Sequence, residues 1–304
     1  MNNRTVILIA GPTAVGKTAM AIAVARAFGS EIISADSRQC YRELNIGVAR
    51  PSEEELSAVP HHFIASHSVL DEVTAAVFEN YALTVSENLF ARNNIIVLAG
   101  GTGLYIRAFL EGLDPVPAVP STLRESLTAE YHLKGREWLR EELIAKDSLY
   151  AIQGDLHNPQ RMLRALEVYT CFGKSIISYH ANKTRPRSFQ VIRIGLTLPR
   201  EELYSRINSR VETMIDSGLM EEAKHLEPYA GLSPLQTVGY RELFPYFKGE
   251  YSKERAISLI QQNTRHYAKR QLTWFRNQET LAWFHPEEKD AVIHYIMNTL
   301  QKEA

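Results

Sequence analysis

The sequence predicts an α/β fold: a parallel sheet flanked by helices and interrupted by a helical insertion. Three observations carry this. Short apolar runs rich in β-branched residues alternate with helical stretches. The first run leads straight into a glycine-rich loop that opens a helix. A middle segment without strands is followed by one more strand-like run, so it interrupts the α/β domain and does not follow it.

Thr5–Ala10 reads as a buried parallel strand, because none of its six residues is charged and none breaks it. The loop 11–18 follows, then an alanine-rich helical stretch to Phe28. Residues 31–35 form a second expected strand, ending at Asp36. Residues 94–99 form a third, ending in Gly100, Gly101 and Thr102. After Gly112 the chain is broken by Pro115, Pro117 and Pro120, and from Thr122 to about Ala181 the pattern is helical. A loop over 182–188 carries Lys183, Arg185 and Arg187, and residues 190–198 form a fourth expected strand. Beyond it the chain reads as helical. The stretch 252–277 contains neither glycine nor proline, and 284–304 reads as a final helix. The expected organisation is therefore a core over 1–117, a helical insertion over 118–187, and a return to the core with C-terminal helices over 188–304.

The bulk composition excludes several classes. The 304 residues are 45% hydrophobic and 23% charged, ordinary values for a globular protein. Two cysteines, Cys40 and Cys171, are too few for a disulfide framework or a four-thiolate zinc site, which points to a reducing cytoplasm. No secretory leader opens the chain and no apolar run approaches the ~20 residues of a membrane span. The formal net charge is −1, so a nucleic-acid partner would have to be held by local basic patches.

The motif with most weight is Gly11, Pro12, Thr13, Ala14, Val15, Gly16, Lys17 and Thr18, which matches G-x-x-x-x-G-K-[ST]. Backbone N–H groups of such a loop and of the helix after it point at an anion. Lys17 adds a point charge for phosphates, and the Thr18 hydroxyl is placed to ligate Mg²⁺. A phosphate loop alone does not say what becomes of the phosphates. Enzymes that transfer a γ-phosphoryl group usually hold their metal with a carboxylate at a strand end, yet the third strand here ends in Gly-Gly-Thr. The strand-end acid is Asp36, a candidate for holding a metal, taking a proton from a substrate, or simply capping a following helix.

Several segments together resemble one family. They are the loop 11–18; the stretch from Asp36, Ser37, Arg38 and Gln39 to Gly47; Gly100 to Tyr105; Asn158 to Glu167; Gln236 to Arg241; and the run from Arg265 to Trp274. In this order they cover nearly the whole chain, and they resemble the bacterial tRNA dimethylallyltransferases, or tRNA isopentenyltransferases. The resemblance implies a P-loop NTPase-like core and transfer of a dimethylallyl group from dimethylallyl diphosphate to N6 of adenosine 37 in tRNA, with Mg²⁺ as cofactor. It implies Asp36 as general base, Lys17 and Arg210 as catalytic contacts to the diphosphate, and Thr18 as metal ligand. It implies contacts with the anticodon stem-loop at Asp36, Ser37, Arg38, Gln39, Thr102, Arg124, Gln160, Arg161, Met162, Leu163, Arg164, Gln236, Thr237, Val238, Gly239, Tyr240 and Arg241. A monomer without an obligate protein partner is expected. Where relatives commonly read Gly-Thr-Ala-Lys-Pro, this chain has Gly47-Val-Ala-Arg50-Pro.

The residues lend the RNA expectation partial support of their own. Six basic residues (Arg161, Arg164, Lys174, Lys183, Arg185, Arg187) stand against one acid over 161–187, and six (Lys253, Arg255, Arg265, Lys269, Arg270, Arg276) against one over 253–276. Either tract alone equals an ordinary solvated helix face. Arg206, one helical turn from Arg210, reads equally as a functional or a surface residue. Tyr105, Phe109, Tyr240 and Trp274 read as core, and the His61-His62 pair as structural. Three alternatives remain at this level: a small-molecule kinase on the same loop, with Arg206 and Arg210 in a lid; an adenylate isopentenyltransferase; and a nucleotide-gated RNA-binding module without catalysis.

Overall fold

A computed structural model describes residues 4–180, 185–278 and 280–302. Lys183 of the first basic tract lies outside them.

The elements run in the order β1 (Thr5–Ala10), α1 (Lys17–Ala27), β2 (Ile32–Ala35), α2 (Glu53–Ala58), β3 (His61–His62), α3 (Ala75–Phe90), β4 (Ile95–Gly100) and α4 (Gly103–Glu111). Helices α5 (Ser121–Lys146), α6 (Ser148–Gln153) and α7 (Pro159–Phe172) follow. The chain then continues through β5 (Gln190–Leu196), α8 (Arg200–Asp216), α9 (Leu219–His225), α10 (Leu243–Phe247), α11 (Lys253–Gln278), β6 (Ala282–Phe284) and α12 (Lys289–Lys302).

The strands pair in parallel in the order β3-β2-β4-β1-β5-β6. Strand β1 lies at the centre, and its alternation sorts its side chains: Val6, Leu8 and Ala10 enter one core cluster, Ile7 and Ile9 the other. Burial on both faces explains why β1 reads as an unbroken apolar run. The edge strands β3 and β6 were not expected from the pattern. With two and three residues, they are too short to print a period. The last helix accordingly starts at Lys289 and not at 284, because 282–284 pair with β5 and Pro286 stands in the approach. The fourth strand ends at Leu196, two residues short of the expected 198.

By its internal contacts the chain separates into one unit of Met1–Glu111 with Pro186–Ala304 and another of Gly112–Arg185. The second unit has its own core, in which Leu139, Leu143, Met162, Ala165 and Leu166 are wholly buried. Its α5 is broken at Gly135, where φ is 82°. Helix α7 opens at Pro159, with the Asn158 side chain accepting the N–H groups of Gln160 and Arg161, and closes at Gly173 in the left-handed conformation. No described helix is long and apolar enough to cross a membrane.

Candidate functional site

The site begins where β1 ends. Gly16 caps α1 at φ 105°, a conformation that costs glycine little, and the loop before it leaves the first N–H groups of α1 facing a cavity. This cavity holds about 310 Å³ and is lined by Thr13, Lys17, Thr18, Asp36, Arg50 and Arg210, among others. It sits at the carboxyl ends of β1, β2 and β4, the position open parallel sheets reserve for ligands. The Lys17 ammonium donates to the Pro12 carbonyl at 2.7 Å. Burial pushes its pKa down to about 8; the Asp36 carboxylate opposes that shift and the Arg210 guanidinium adds to it. Burial also lowers the pKa of Arg210, with Glu55 opposing.

Asp36 caps a turn, not a helix. Its Oδ1 accepts the N–H groups of Arg38 at 2.8 Å and Gln39 at 3.2 Å, and the next helix begins only at Glu53. Side chains from other elements fix this turn. The Ser37 N–H donates to Thr102 Oγ1 at 3.1 Å, and Gln39 Nε2 donates to the carbonyls of Val48 and Ala49 at 3.2 and 2.9 Å. A second cavity, of about 250 Å³, also opens on Asp36. It is lined by the apolar side chains of Val48, Val211, Met214, Val238 and Ile260, with Ser37, Arg38, Thr237 and Gly239. Asp36, Arg210 and Tyr267 belong to both linings.

The structure brings Asp36, Ser37, Arg38, Gln39 and Thr102 together, with Thr237, Val238 and Gly239 beside them. Gln236 and Arg241 are exposed. Tyr240 is wholly buried, its hydroxyl donating to Glu222 at 2.6 Å, so its side chain is not offered to an RNA. In the second unit Gln160 and Arg161 are exposed, but Met162 is wholly buried in that unit's core and Leu163 packs against it. Arg124 and Arg164 lie at 3.6 and 3.1 Å from the same buried carboxylate, Glu167. The basic count of the first tract therefore overstates what faces solvent. Arg187 is consumed by a buried pair with Glu79 at 2.8 Å and by the Ala108 carbonyl. Arg206 pairs with Glu202 at 2.8 Å and lines neither cavity. Tyr105 and Phe109 are core residues, and Trp274 lies so close over Gly103 that a Cβ there would meet the ring at 2.5 Å.

Sequence reasoning missed three residues of the site. Gln271 Oε1 accepts the Thr13 N–H at 2.8 Å while its Nε2 donates to the Gly101 carbonyl at 2.8 Å, joining the phosphate loop to the end of β4. Tyr267, one turn earlier on α11, borders both cavities; burial and the Asp36 charge push its phenol up to about 12. Glu222 holds the loop after Gln39. Each is a single polar residue on a helix, which carries no signal until the tertiary neighbours are known.

The family model of the IPP transferases matches residues 39–278. This chain belongs to the IPP transferase family. A tRNA dimethylallyltransferase of Cytophaga hutchinsonii is 43% identical to it over 300 residues, covering 99% of each chain. One from Flavobacterium johnsoniae is 44% identical over 302 residues, covering 97% of this chain and 98% of its own. Among solved structures, the full-length tRNA isopentenylpyrophosphate transferase of Bacillus halodurans is similar with a TM-score of 0.73 at 32% identity, covering 99% of this chain and 98% of its own. The parallel sheet with its phosphate loop is thus the P-loop NTPase-like fold of these IPP transferases, and the kinase and non-catalytic readings fall away.

Proposed function

We infer that this enzyme transfers a dimethylallyl group from dimethylallyl diphosphate to tRNA, and that the acceptor is N6 of adenosine 37 beside the anticodon. The observation that carries the reading is the position of Asp36 on the rim common to two cavities, one lined by the phosphate loop and one with an apolar wall. The diphosphate enters the first, against the N–H groups of α1 and the charges of Lys17 and Arg210. The dimethylallyl carbons turn toward Val48, Val211, Met214, Val238 and Ile260. N6 attacks the allylic carbon, the C–O bond to the diphosphate breaks, and the leaving charge is met by cations already in place. Asp36 accepts the N6 proton, leaving N6-(dimethylallyl)adenosine and pyrophosphate. The base has to leave its stack to reach Asp36.

The oxygen donors at the first cavity, the Thr18 hydroxyl and the Asp36 carboxylate, suit Mg²⁺, which is commonly held by one or two carboxylates with substrate phosphates and water. Among the described residues no group of three or more His, Cys, Asp or Glu gathers for a metal, which fits an ion shared with the diphosphate better than a dedicated cage. When bound, Mg²⁺ shields diphosphate charge. Arg161 and Gln160, exposed at the start of α7, serve the RNA backbone. Two free cysteines fit the cytoplasm.

Labelled dimethylallyl diphosphate and γ-labelled ATP, each offered with unmodified tRNA or with AMP as acceptor, test the reading. Label entering tRNA from the first donor alone is expected. Label in AMP but not in tRNA, or phosphate transfer from ATP, overturns it.

A further inference from the structure

Val48 and Ala49 line both cavities, so the loop they belong to is the wall common to the two. Residues 42–50 form turns and no regular element, so neither a helix nor a strand ladder holds them. Side chains do. Arg50 Nη2 donates to the carbonyls of Tyr41 and Arg42, each at 2.9 Å, and to that of Leu44, closing the loop on itself. The other hold comes from Glu222, in the middle of α9. Its carboxylate accepts three successive backbone N–H groups, Asn45 at 3.2 Å, Ile46 at 2.8 Å and Gly47 at 3.0 Å, and the Tyr240 hydroxyl at 2.6 Å.

Only an ionised carboxylate meets that demand. It is acceptor-only, with room for about four donors, whereas an amide of the same size turns two N–H groups of its own toward them. Gly47 lies against the Tyr240 ring, where a Cβ would stand 2.5 Å from a ring carbon. Tyr240 in turn follows Thr237, Val238 and Gly239 of the second cavity. Glu222 itself lines neither cavity.

We propose that Glu222 is a positioning residue for the transfer: it pins the loop 45–49 to the segment 237–240, so the walls on both sides of Asp36 are set before the substrates arrive. This rests on the reading that the two cavities receive the donor and that the adenine meets it at Asp36. A loop released by about 1 Å would leave the groups present but misaligned, an error that costs up to about 100-fold in rate.

The test compares Glu222→Gln, which keeps the size but replaces one acceptor oxygen with an NH2 donor and removes the charge, with Glu222→Asp, which keeps the charge one methylene short. Lys224→Ala, on the exposed side of α9, is the control. Three readouts are taken: single-turnover transfer at saturating dimethylallyl diphosphate and tRNA, amide hydrogen exchange of the peptide spanning 42–50, and the thermal midpoint. Glu222→Gln should exchange about tenfold faster or more over 45–47 and transfer about 10- to 100-fold more slowly, with a midpoint close to the parent. Glu222→Asp should fall between on both, and it carries the comparison should the Gln variant not fold. Unchanged exchange means that Glu222 does not pin the loop. Faster exchange with an unchanged single-turnover rate means that the reaction does not use the pin. Either result overturns the proposal. Failure of the parent enzyme to transfer the group refutes the functional reading instead, and the exchange measurement still decides the pin.

Discussion

Lys17 and Asp36 line the same cavity, and the Asp36 carboxylate opposes the pull of burial on the Lys17 ammonium. Arg210 works in the opposite sense. With the Lys17 pKa near 8, the empty enzyme carries its lysine charged at neutral pH and loses that charge as pH rises through about 8. The expected outcome is a kcat/KM for dimethylallyl diphosphate that falls above about pH 8. In Asp36→Asn the falling limb should move to lower pH, because the opposing charge is gone. A pH profile of both enzymes checks this, and a limb at the same pH in both would break the link between the two residues.

The same shift has a consequence for stability. The lysine binds its proton up to about pH 10.5 in the unfolded chain but only to about pH 8 in the fold. Between those values the unfolded chain holds more protons, so this group's contribution to stability rises with pH through the window. Below pH 8 the folded state bears the full cost of the buried charge. Lys17→Met should therefore be inactive and yet melt a few degrees higher at pH 7 without diphosphate, on the order of 2–6 °C. The gain should vanish as pH rises past 10. A lower midpoint at pH 7 would mean that the bond to the Pro12 carbonyl outweighs the cost of burial.

The two arginines at the start of α7 are not equivalent probes of RNA binding. Arg161 is exposed and pairs with Asp155 at 3.1 Å. Arg164 holds Glu167, whose side chain is 5% exposed. Arg161→Ala should leave the midpoint unchanged and reduce the salt slope of tRNA binding by about one unit. Arg164→Ala should lower the stability of its unit by about 1–3 kcal/mol, since Arg124 at 3.6 Å is a looser partner for the carboxylate. Binding titrations between low and moderate salt, with a melt of each variant, separate the two effects. An unchanged slope for Arg161→Ala would remove it from the RNA contact.

The parts of this site that are readable in the sequence are the ones whose physics is local. Gly16, Lys17 and Thr18 are consecutive, and a strand before them with a helix after them is all the phosphate loop requires. Strand β1 is readable because it is buried on both faces. The setting of Asp36 is not local: it depends on Thr102 from beyond β4, on the carbonyls of Val48 and Ala49, and on a cavity wall contributed by α8 and α11. Gln271 reaches Thr13 across 258 residues. The basic tracts mislead for the same reason, because charge counting does not see that Arg187 points into a buried pair with Glu79.

Asp36→Asn is a clean substitution because of what Oδ1 does. It accepts the N–H groups of Arg38 and Gln39, and the amide oxygen of asparagine can accept both, so the turn should survive. What is lost is the negative charge and the capacity to take a proton. The amine of adenine is a weak nucleophile, because its lone pair is delocalised into the ring. A carboxylate hydrogen-bonded to N6–H sharpens the attack and removes the proton as the new bond forms, help typically worth about 10²–10⁴-fold. The expected result is a fall of that order in the single-turnover rate with modest changes in KM for both substrates. If Asp36 served mainly to hold Mg²⁺, the defect would appear as weakened diphosphate binding, and raised Mg²⁺ would recover part of the rate. If it served only to cap its turn, the variant would be nearly as active as the parent, since asparagine caps almost as well. Single-turnover rates measured across a range of Mg²⁺ concentrations distinguish the three. Recovery by metal, or the absence of a defect, would refute the assignment of Asp36 as the base.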